Sequence, residues 1–349
     1  MSMPDAGGRA TAASGILDRR RLAGLGLVVV SACAFGSGAL FAKPIYASGM
    51  DWLGLLAWRF LFAALLSWAW LLAWPSARQG LRRLPRRQVL GLVALGVLYI
   101  GNSSTYFAAL ETVSASLAAL IVYLYPALVA VLSIRFGRRL EGRRAWLALA
   151  MATLGVGLAV GGIDPSTTPP VSGLLLALAS PVIYSVWIVL SARLGGERRE
   201  QSEFRAGETG QPAPESVDPA PASAVMLTAT AVVYWVAAVL GGRPVNPMDV
   251  PAQAWPALVG VGVVSTALAL QSFYAGVRRV GAANGALIST VEPIWTISLA
   301  TLLFGELLTA VQVAGGVLVI GAVLLMHAGS AAAPAWRSGT VTPGGSGAA

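Results

Sequence analysis

The sequence predicts an all-α integral membrane protein with ten transmembrane helices, arranged as two inverted five-helix repeats. The first observation is composition. The 349 residues are 56% hydrophobic and only 11% charged, with a mean hydropathy of +0.72, whereas a soluble domain carries about 25% charged residues. The second is that the apolar residues form long stretches separated by short arginine-rich segments. The third is that segments in opposite halves of the chain share a residue pattern.

Ten apolar stretches are long enough to span a bilayer, because about 20 helical residues cross its ~30 Å hydrocarbon core. They cover residues 22–42, 52–74, 89–110, 113–134, 145–162, 172–194, 222–240, 255–277, 281–304 and 310–328. The joints after the third and ninth stretches are very short, which indicates helix hairpins.

The arginine positions predict the orientation of these helices, since basic residues concentrate in cytoplasmic loops. With a cytoplasmic N-terminus, the arginine-rich segments at 78–87, 135–144 and 193–205 all lie inside. The opposite loops contain only Lys43 and Arg243 as basic residues. The pattern predicts a multi-pass protein of the cell (inner) membrane, with both termini in the cytoplasm.

The two termini and one internal segment differ from the rest in composition. Residues 1–21 are a predicted cytoplasmic tail, residues 196–221 a Glu-, Pro- and Gly-rich cytoplasmic linker, and residues 329–349 a flexible C-terminal tail. The first apolar stretch with Ala32-Cys33-Ala34 also resembles a signal peptide with its cleavage site. Its continuation to Ala42 favours an uncleaved helix.

An internal repeat joins the two halves of the chain. Residues 106–126, YFAALETVSASLAALIVYLYP, match residues 273–293, FYAGVRRVGAANGALISTVEP, including the final proline of each. Each segment holds the end of a third helix, a tight turn and a fourth helix. Because each unit has five helices, an odd number, the second unit crosses the membrane in the opposite direction. We therefore predict a first repeat at 22–162 and a second, inverted repeat at 163–328. Inverted repeats of this kind recur in secondary transporters.

Several motifs together resemble one known transporter family. The second helix carries an arginine in LLAWRF at 55–60, and the ninth carries Glu292-Pro293-Ile294-Trp295, followed by LLFGE at 302–306. These features resemble the EamA group of the drug/metabolite transporter superfamily, with two EamA domains over residues 22–328. Phe136-Gly137-Arg138 departs from the Gly-Glu that the family often carries there. The resemblance implies efflux of small metabolites, often amino acids or related compounds.

Composition argues against several other functions. The single histidine and single cysteine allow neither a His-based metal cluster nor a Ser-His-Asp triad nor an intrachain disulfide, so we predict no catalytic residue, metal or cofactor. The net charge of +9 comes from loop arginines, which argues against a nucleic-acid partner. The sequence contains no P-loop, so ATP does not power the chain directly. The expected partners are the lipid bilayer, a small-molecule substrate and coupling protons. The sequence does not decide between a monomer and a homodimer.

Glu292 is the one acidic residue deep within a predicted helix. Counting from Arg279 at about 1.5 Å per residue places it roughly 20 Å along that helix. A buried charge costs several kcal/mol unless it is paired or wetted, so Glu292 is predicted to be neutral or to line an internal cavity, with proton coupling as a further hypothesis. The alternative is a protonated side chain bonded to a neighbouring helix. Pro293 leaves the carbonyl of Ser289 free, and Pro126 and Pro293 are predicted hinges.

Arg59 is the one basic residue within a predicted helix, nearer to its outer end. It could bind a substrate carboxylate through two hydrogen bonds. The alternative is a structural role, in which the side chain extends outward to water or pairs with Glu111. The depth of Arg59 favours this structural role.

Polar and aromatic side chains at similar depth complete the predicted pocket. Besides Glu292 and Arg59, the predicted substrate-binding residues are Tyr125, Tyr99, Asn102, Trp187, Thr266 and Trp295. Tyr125 stands out because it occupies the repeat position of Glu292. The pairs Gly157-x-x-x-Gly161 and Gly281-x-x-x-Gly285 predict close approaches between helices.

Together these features favour a secondary transporter, expected to be an exporter that works by alternating access. One alternative is a nucleotide-sugar or sugar-phosphate exchanger, but such substrates need several pocket cations and only Arg59 is available. The alternative of another class is an intramembrane lipid-modifying enzyme. The lack of clustered Asp, His or metal ligands counts against it.

Overall fold

The computed structural model describes residues 6–82, 84–134, 143–161, 168–195, 219–280 and 288–330. Within these residues all regular structure is helical, and no β-strand occurs. The predicted all-α fold is therefore confirmed for the described part of the chain.

The described bundle contains thirteen α-helices, one π-helical segment and two 3-10 helices, Pro247–Asp249 and Ala252–Ala254. The α-helices are α1 (Ala6–Ala47), α2 (Trp52–Ala73), α3 (Pro75–Arg82), α4 (Arg86–Ala109), α5 (Ala115–Val122), α6 (Tyr125–Ile134), α7 (Arg143–Gly161), α8 (Val171–Gly195), α9 (Pro219–Leu240), α10 (Trp255–Gly262), α11 (Ala269–Val280), α12 (Val291–Phe304) and α13 (Ala310–Ser330). The π-helical segment Val263–Leu268 joins α10 to α11.

Six of these helical stretches are long and apolar enough to cross a membrane. They are Leu22–Ala47, Trp52–Ala73, Arg86–Ala109, Val171–Leu190, Ala220–Leu240 and Ala252–Phe273. Shorter apolar helices occupy Ala115–Val129, Trp146–Val160, Val291–Phe304 and Ala310–Leu325. These shorter helices fall within the fourth, fifth, ninth and tenth predicted stretches.

The structure differs from the predicted helices in places. α1 begins at Ala6, well before residue 22, and the predicted helix at 113–134 is divided into α5 and α6. The start of the ninth predicted helix, with Gly281 and Gly285, lies outside the described residues. So do residues 196–218 of the linker and 331–349 of the C-terminal tail.

Local signals explain where several helices begin and end. The Asp51 carboxylate accepts a hydrogen bond from the amide of Gly54 at 3.0 Å, and the Ser114 hydroxyl accepts one from Leu117 at 3.2 Å. Both side chains thus cap free amides in the first turn of α2 and α5. α12 ends at Gly305, whose φ of +67° is a left-handed conformation that favours glycine.

Helices from the two halves of the chain pack against each other. α1 contacts α11 and α12, α8 contacts α4 and α6, α2 contacts α9, and α7 contacts α13. The core between them contains fully buried Leu55, Phe60, Leu120 and Tyr234.

The outside of the bundle is apolar as well. Leu65, Val97, Leu154, Leu175 and Val232 lie inside helices and are 47% to 61% exposed. A soluble protein rarely exposes so much contiguous apolar surface. This surface suits contact with lipid.

A close approach of α7 and α13 is centred on Gly155 and Gly315. A Cβ atom added at Gly155 would lie 2.6 Å from the carbonyl oxygen of Gly315, and one added at Gly315 would lie 2.5 Å from that of Gly155. The prediction that Gly157 marks such an approach is wrong, because a Cβ at Gly157 would meet no atom within 4 Å. The small-residue contact exists two residues earlier, on the face that meets α13.

Substitution of Gly155 by alanine is expected to destabilise the protein by roughly 1–3 kcal/mol, because the added methyl group overpacks two backbones that cannot move independently. Gly157→Ala is the matched control in the same helix. It should be neutral or slightly stabilising, since alanine favours helix over glycine. Thermal unfolding in detergent measures both, and equal melting temperatures for the two variants would contradict this packing.

Candidate functional site

A cavity of about 150 Å³ lies inside the bundle, between side chains from both halves of the chain. Its polar and aromatic lining comes from α1, α2, α4, α8, α12 and the junction of α5 with α6. Those side chains are Phe35, Arg59, Tyr99, Asn102, Ser103, Tyr106, Phe107, Tyr123, Tyr125, Ser180, Tyr184 and Glu292. A guanidinium and a carboxylate thus share one small, tyrosine-rich space.

A turn in each half of the chain brings the ends of helices to the cavity. α5 ends at Val122 and α6 begins at Tyr125, so a turn at residues 123–124 interrupts this apolar stretch. α12 begins at Val291, directly after a turn at Ser289 and Thr290. Broken helices leave polar backbone groups available at a depth where continuous helices have none.

Tyr123 joins the two breaks. Its hydroxyl lies 2.9 Å from the carbonyl oxygen of Ser289 and 3.0 Å from Oε2 of Glu292, and can donate to either. The Ser289 carbonyl, which Pro293 cannot bond, accepts from the amide of Glu292 at 3.0 Å and also lies within reach of the Tyr123 hydroxyl. The hydroxyl therefore ties the first half of the chain to the start of α12.

Glu292 lines the cavity, as predicted, and α1 fixes its backbone. A Cβ atom added at Gly36 would lie 2.6 Å from Oγ1 of Thr296 and 2.9 Å from the carbonyl oxygen of Glu292. The Thr296 hydroxyl also lies 2.9 Å from the Gly36 carbonyl, within donating distance. The missing side chain at Gly36 thus lets α12 approach α1 closely and directs the carboxylate of Glu292 inward.

Arg59 is buried, so the predictions that its side chain extends outward to water or pairs with Glu111 are wrong. The residue is 6% exposed, and its Nε donates to Oγ1 of Thr266 at 2.8 Å. The guanidinium carbon lies 4.6 Å from the ring centre of Phe107 and 5.3 Å from that of Phe60. Glu111 instead accepts a hydrogen bond from the backbone amide of Trp52 at 2.8 Å. Arg59 faces inward because α2 presents this face to α4 and the π-helical segment.

Asn102 and Tyr99 form the α4 side of the cavity. The Ser180 hydroxyl of α8 donates to Oδ1 of Asn102 at 2.9 Å, in a fully buried pair. The Tyr99 ring contacts Trp187, whose Nε1 donates to the carbonyl of Leu95 at 3.0 Å. Trp187 thus supports the wall from behind.

The predicted pocket residues divide into two groups. Arg59, Tyr99, Asn102, Tyr125 and Glu292 line the cavity together. Thr266, Trp187 and Trp295 do not line it. Thr266 accepts a hydrogen bond from Arg59, Trp187 lies behind Tyr99 with its ring tilted by 58°, and the Trp295 indole donates to the Ser37 hydroxyl at 3.1 Å near the surface.

Some lining residues had no signal in the sequence. Phe107 is an ordinary aromatic residue of an apolar stretch until the fold places it over Arg59. Ser180 carries no cue beyond a small polar side chain before a proline. Tyr123 was recognisable as a tyrosine at mid-depth, although its bond to Glu292 follows only from the meeting of two distant helices.

A polar cluster lies at the end of the bundle where α1 stops. Lys43 donates to the carbonyl oxygens of Leu110 and Val113 at 3.3 and 3.0 Å, after the end of α4. Glu306 accepts from the amides of Ala115 and Ser116 at 3.0 and 2.9 Å, and so caps α5 from the opposite half of the chain. These contacts fix the turn between α4 and α5 above the cavity.

Comparison with known protein families gives a match over most of the chain. The EamA-like transporter family model matches residues 22–161 and again residues 209–328. The chain belongs to the EamA-like transporter family. The resemblance predicted from the motifs is confirmed, and two copies of the family's unit are present in tandem.

Two further comparisons agree with membership in the EamA-like family. A protein of Archaeoglobus fulgidus described as an uncharacterized transporter is 26% identical over 301 residues, covering 85% of this chain and 94% of its own length. A solved crystal structure superposes with a TM-score of 0.58 at 22% identity, covering 87% of this chain and 96% of its own. At that identity the crystal structure supports the fold alone.

This EamA-like protein is therefore a multi-pass membrane protein of a transporter family. Within its described residues, no group of three or more His, Cys, Asp or Glu side chains could hold a metal ion. The chemistry available in its cavity is charge pairing, hydrogen bonding and aromatic contact.

Proposed function

We propose that the protein is a secondary transporter that exports small zwitterionic or amphipathic metabolites, such as amino acids, by alternating access. The observation that carries the proposal is that the guanidinium of Arg59 and the carboxylate of Glu292 line the same cavity inside the bundle. A guanidinium binds a carboxylate through paired hydrogen bonds. A substrate ammonium group is stabilised by a carboxylate and by the faces of tyrosine rings.

The cavity is a poor fit for a nucleotide sugar or a sugar phosphate. Those substrates carry several negative charges and need several cations to replace lost water. Arg59 is the one cationic side chain among the described residues that line the cavity, and Glu292 would repel a phosphate group. One cation and one anion match a substrate with no net charge.

We further propose ten transmembrane helices in two inverted repeats, 22–162 and 163–328. The packing supports this. In the two repeats α1 is equivalent to α8, α4 to α11 and α6 to α12. The contact of α1 with α11 therefore corresponds to that of α8 with α4, and the contact of α1 with α12 corresponds to that of α8 with α6. The contacts of α2 with α9 and of α7 with α13 map onto themselves. The family model also matches the chain twice, over residues 22–161 and 209–328.

The even number of helices and the arginine-rich loops support an inner-membrane protein with both termini in the cytoplasm. A reporter enzyme inserted at residue 200 should report a cytoplasmic position, and one inserted at residue 243 should report the opposite side. The same side for both positions would contradict an odd number of crossings between them.

The breaks before Pro126 and Pro293 are the proposed hinges. A helix without a continuous hydrogen-bond ladder bends at low cost. Bending at both breaks would open the cavity to one side while Tyr123 releases Glu292. Since a carboxylate that loses its partner in a membrane binds a proton or a cation, we propose that Glu292 also couples transport to protons.

Purified protein in liposomes tests this function. Neutral amino acids and related metabolites should show saturable uptake and efflux, faster with an imposed pH gradient than without it. Empty liposomes and liposomes with the Arg59→Met variant are the controls. A failure to move any solute of a broad panel would contradict the proposal.

A further inference from the structure

The π-helical segment Val263–Leu268 is the feature of the cavity wall that the transporter role leaves unexplained. It interrupts an otherwise α-helical stretch from Trp255 to Val280. π-Turns are rare, and they appear frequently at functional sites because they cost hydrogen bonds that an α-helix would make. This one lies directly behind Arg59.

Thr266 uses the π-turn to make two hydrogen bonds at once. Its hydroxyl donates to the carbonyl oxygen of Val261, five residues earlier, at 2.9 Å. A threonine in a regular α-helix bonds the carbonyl three or four residues back instead. With its proton committed to Val261, the Thr266 oxygen can only accept, and it accepts from Nε of Arg59 at 2.8 Å.

This bond determines which part of Arg59 can reach a ligand. A guanidinium binds a carboxylate either through Nε and one terminal nitrogen, or through both terminal nitrogens. Thr266 occupies Nε, and Phe107 and Phe60 lie over the guanidinium. Both terminal nitrogens remain without a hydrogen bond or ion pair to any described residue.

We propose that Thr266 is a positioning residue that makes the cavity selective for substrates with a free carboxylate. By holding Nε, it presents the two terminal nitrogens of Arg59 as a fixed fork whose spacing fits the two oxygens of one carboxylate. An amide or an ester offers one acceptor oxygen to this fork and leaves one donor unpaired. The inference rests on the proposed function, since it concerns which zwitterions the transporter accepts.

Neighbouring Ser265 offers a matched control. It belongs to the same π-turn and is fully buried, yet its hydroxyl has no hydrogen-bond partner within the described structure. Removal of that hydroxyl therefore alters a side chain of the same π-turn without removing a hydrogen bond to Arg59. Ser265→Ala should keep the transport properties of the wild type.

The test compares transport of neutral L-amino acids with transport of their primary amides in liposomes. Wild-type protein should prefer the acids. For Thr266→Val, which matches threonine in shape, we expect KM for the acid to rise about tenfold with kcat within about twofold, and the acid-to-amide preference to fall by about the same factor. Thr266→Ser, which keeps both hydrogen bonds, should restore the preference to within about twofold.

The outcomes separate this inference from the proposed function. If the wild type transports amino acids and Thr266→Val keeps both its KM and its preference, the positioning role of Thr266 is wrong while the transporter stands. A loss of preference in Ser265→Ala equal to that in Thr266→Val would also overturn it, because any change in the π-turn would then suffice. If the wild type moves no amino acid, both ideas fail.

Discussion

Glu292→Gln is expected to lower kcat/KM for neutral amino acids by about tenfold or more, because glutamine keeps the shape of the side chain but removes its charge. The amide oxygen can still accept from Tyr123, whose hydroxyl lies 3.0 Å from Oε2 in the wild type. Helix packing should therefore survive. What is lost is the partner of the substrate ammonium group and the site at which a proton can bind, so stimulation by a pH gradient should also disappear.

Ile294→Ala is the matched control for this result. Ile294 lies two residues along the same helix, is 50% exposed and does not line the cavity. Its removal should leave transport within about twofold of the wild type, as surface substitutions generally do. Equal transport by Glu292→Gln and wild type, at equal amounts of folded protein in the liposomes, would exclude Glu292 from the mechanism.

Arg59→Lys is expected to be almost as damaging, although it keeps the positive charge. Lysine has no Nε–H to bond Thr266 and no fork to pair with two carboxylate oxygens. Its ammonium group would also lie between Phe107 and Phe60, where the flat guanidinium stacks. We expect kcat/KM for amino acids to fall by about tenfold or more, chiefly through KM, because the lost contacts bind the substrate itself.

Arg243→Lys provides the corresponding control. Arg243 forms an exposed ion pair with Asp51 at 3.0 Å, where lysine substitutes with an effect of about 1 kcal/mol or less. Transport by this variant should match the wild type. If Arg59→Lys transported amino acids and amides with wild-type kinetics, a bidentate role for Arg59 would be excluded.

The sequence predicted the parts of the site that depend on depth and on proline. Glu292 is the one deep carboxylate, and burial without a partner is costly, which correctly predicted that it lines a cavity. Pro293 removes one backbone donor, and the Ser289 carbonyl lies within hydrogen-bonding distance of the Tyr123 hydroxyl in addition to the amide of Glu292. Both arguments use a residue and its immediate neighbours, so they need no knowledge of how helices pack.

The sequence could not predict the environment of Arg59. Its partner Thr266 is 207 residues away, and Phe107 lies on a third helix. Helices that face lipid on one side and protein on the other are apolar all round, so hydrophobic periodicity does not reveal which face is buried. The same reason explains why Gly155 rather than Gly157 marks the contact of α7 with α13.

The π-helical segment and the break between α5 and α6 were also beyond prediction. Residues 263–268 read VVSTAL, which fits a regular helix equally well. The break at residues 123–124 precedes Pro126 by two positions. A proline alone predicts that a helix bends, but not that it divides into two helices separated by a turn. In both cases contacts with other helices determine the backbone, and a single stretch of sequence does not contain them.

The central claim is that the substrate binds in the cavity between Arg59 and Glu292, and protection of an introduced cysteine tests it most directly. Cys33 is the only cysteine, so a Cys33→Ser protein carrying Val122→Cys has one thiol, in the cavity wall. Leu307→Cys in the same background places it instead in a loop position that is 81% exposed. A transported amino acid should slow the reaction of a small water-soluble thiol reagent at Val122→Cys and leave that at Leu307→Cys unchanged. An unchanged rate at Val122→Cys under saturating substrate would contradict the claim.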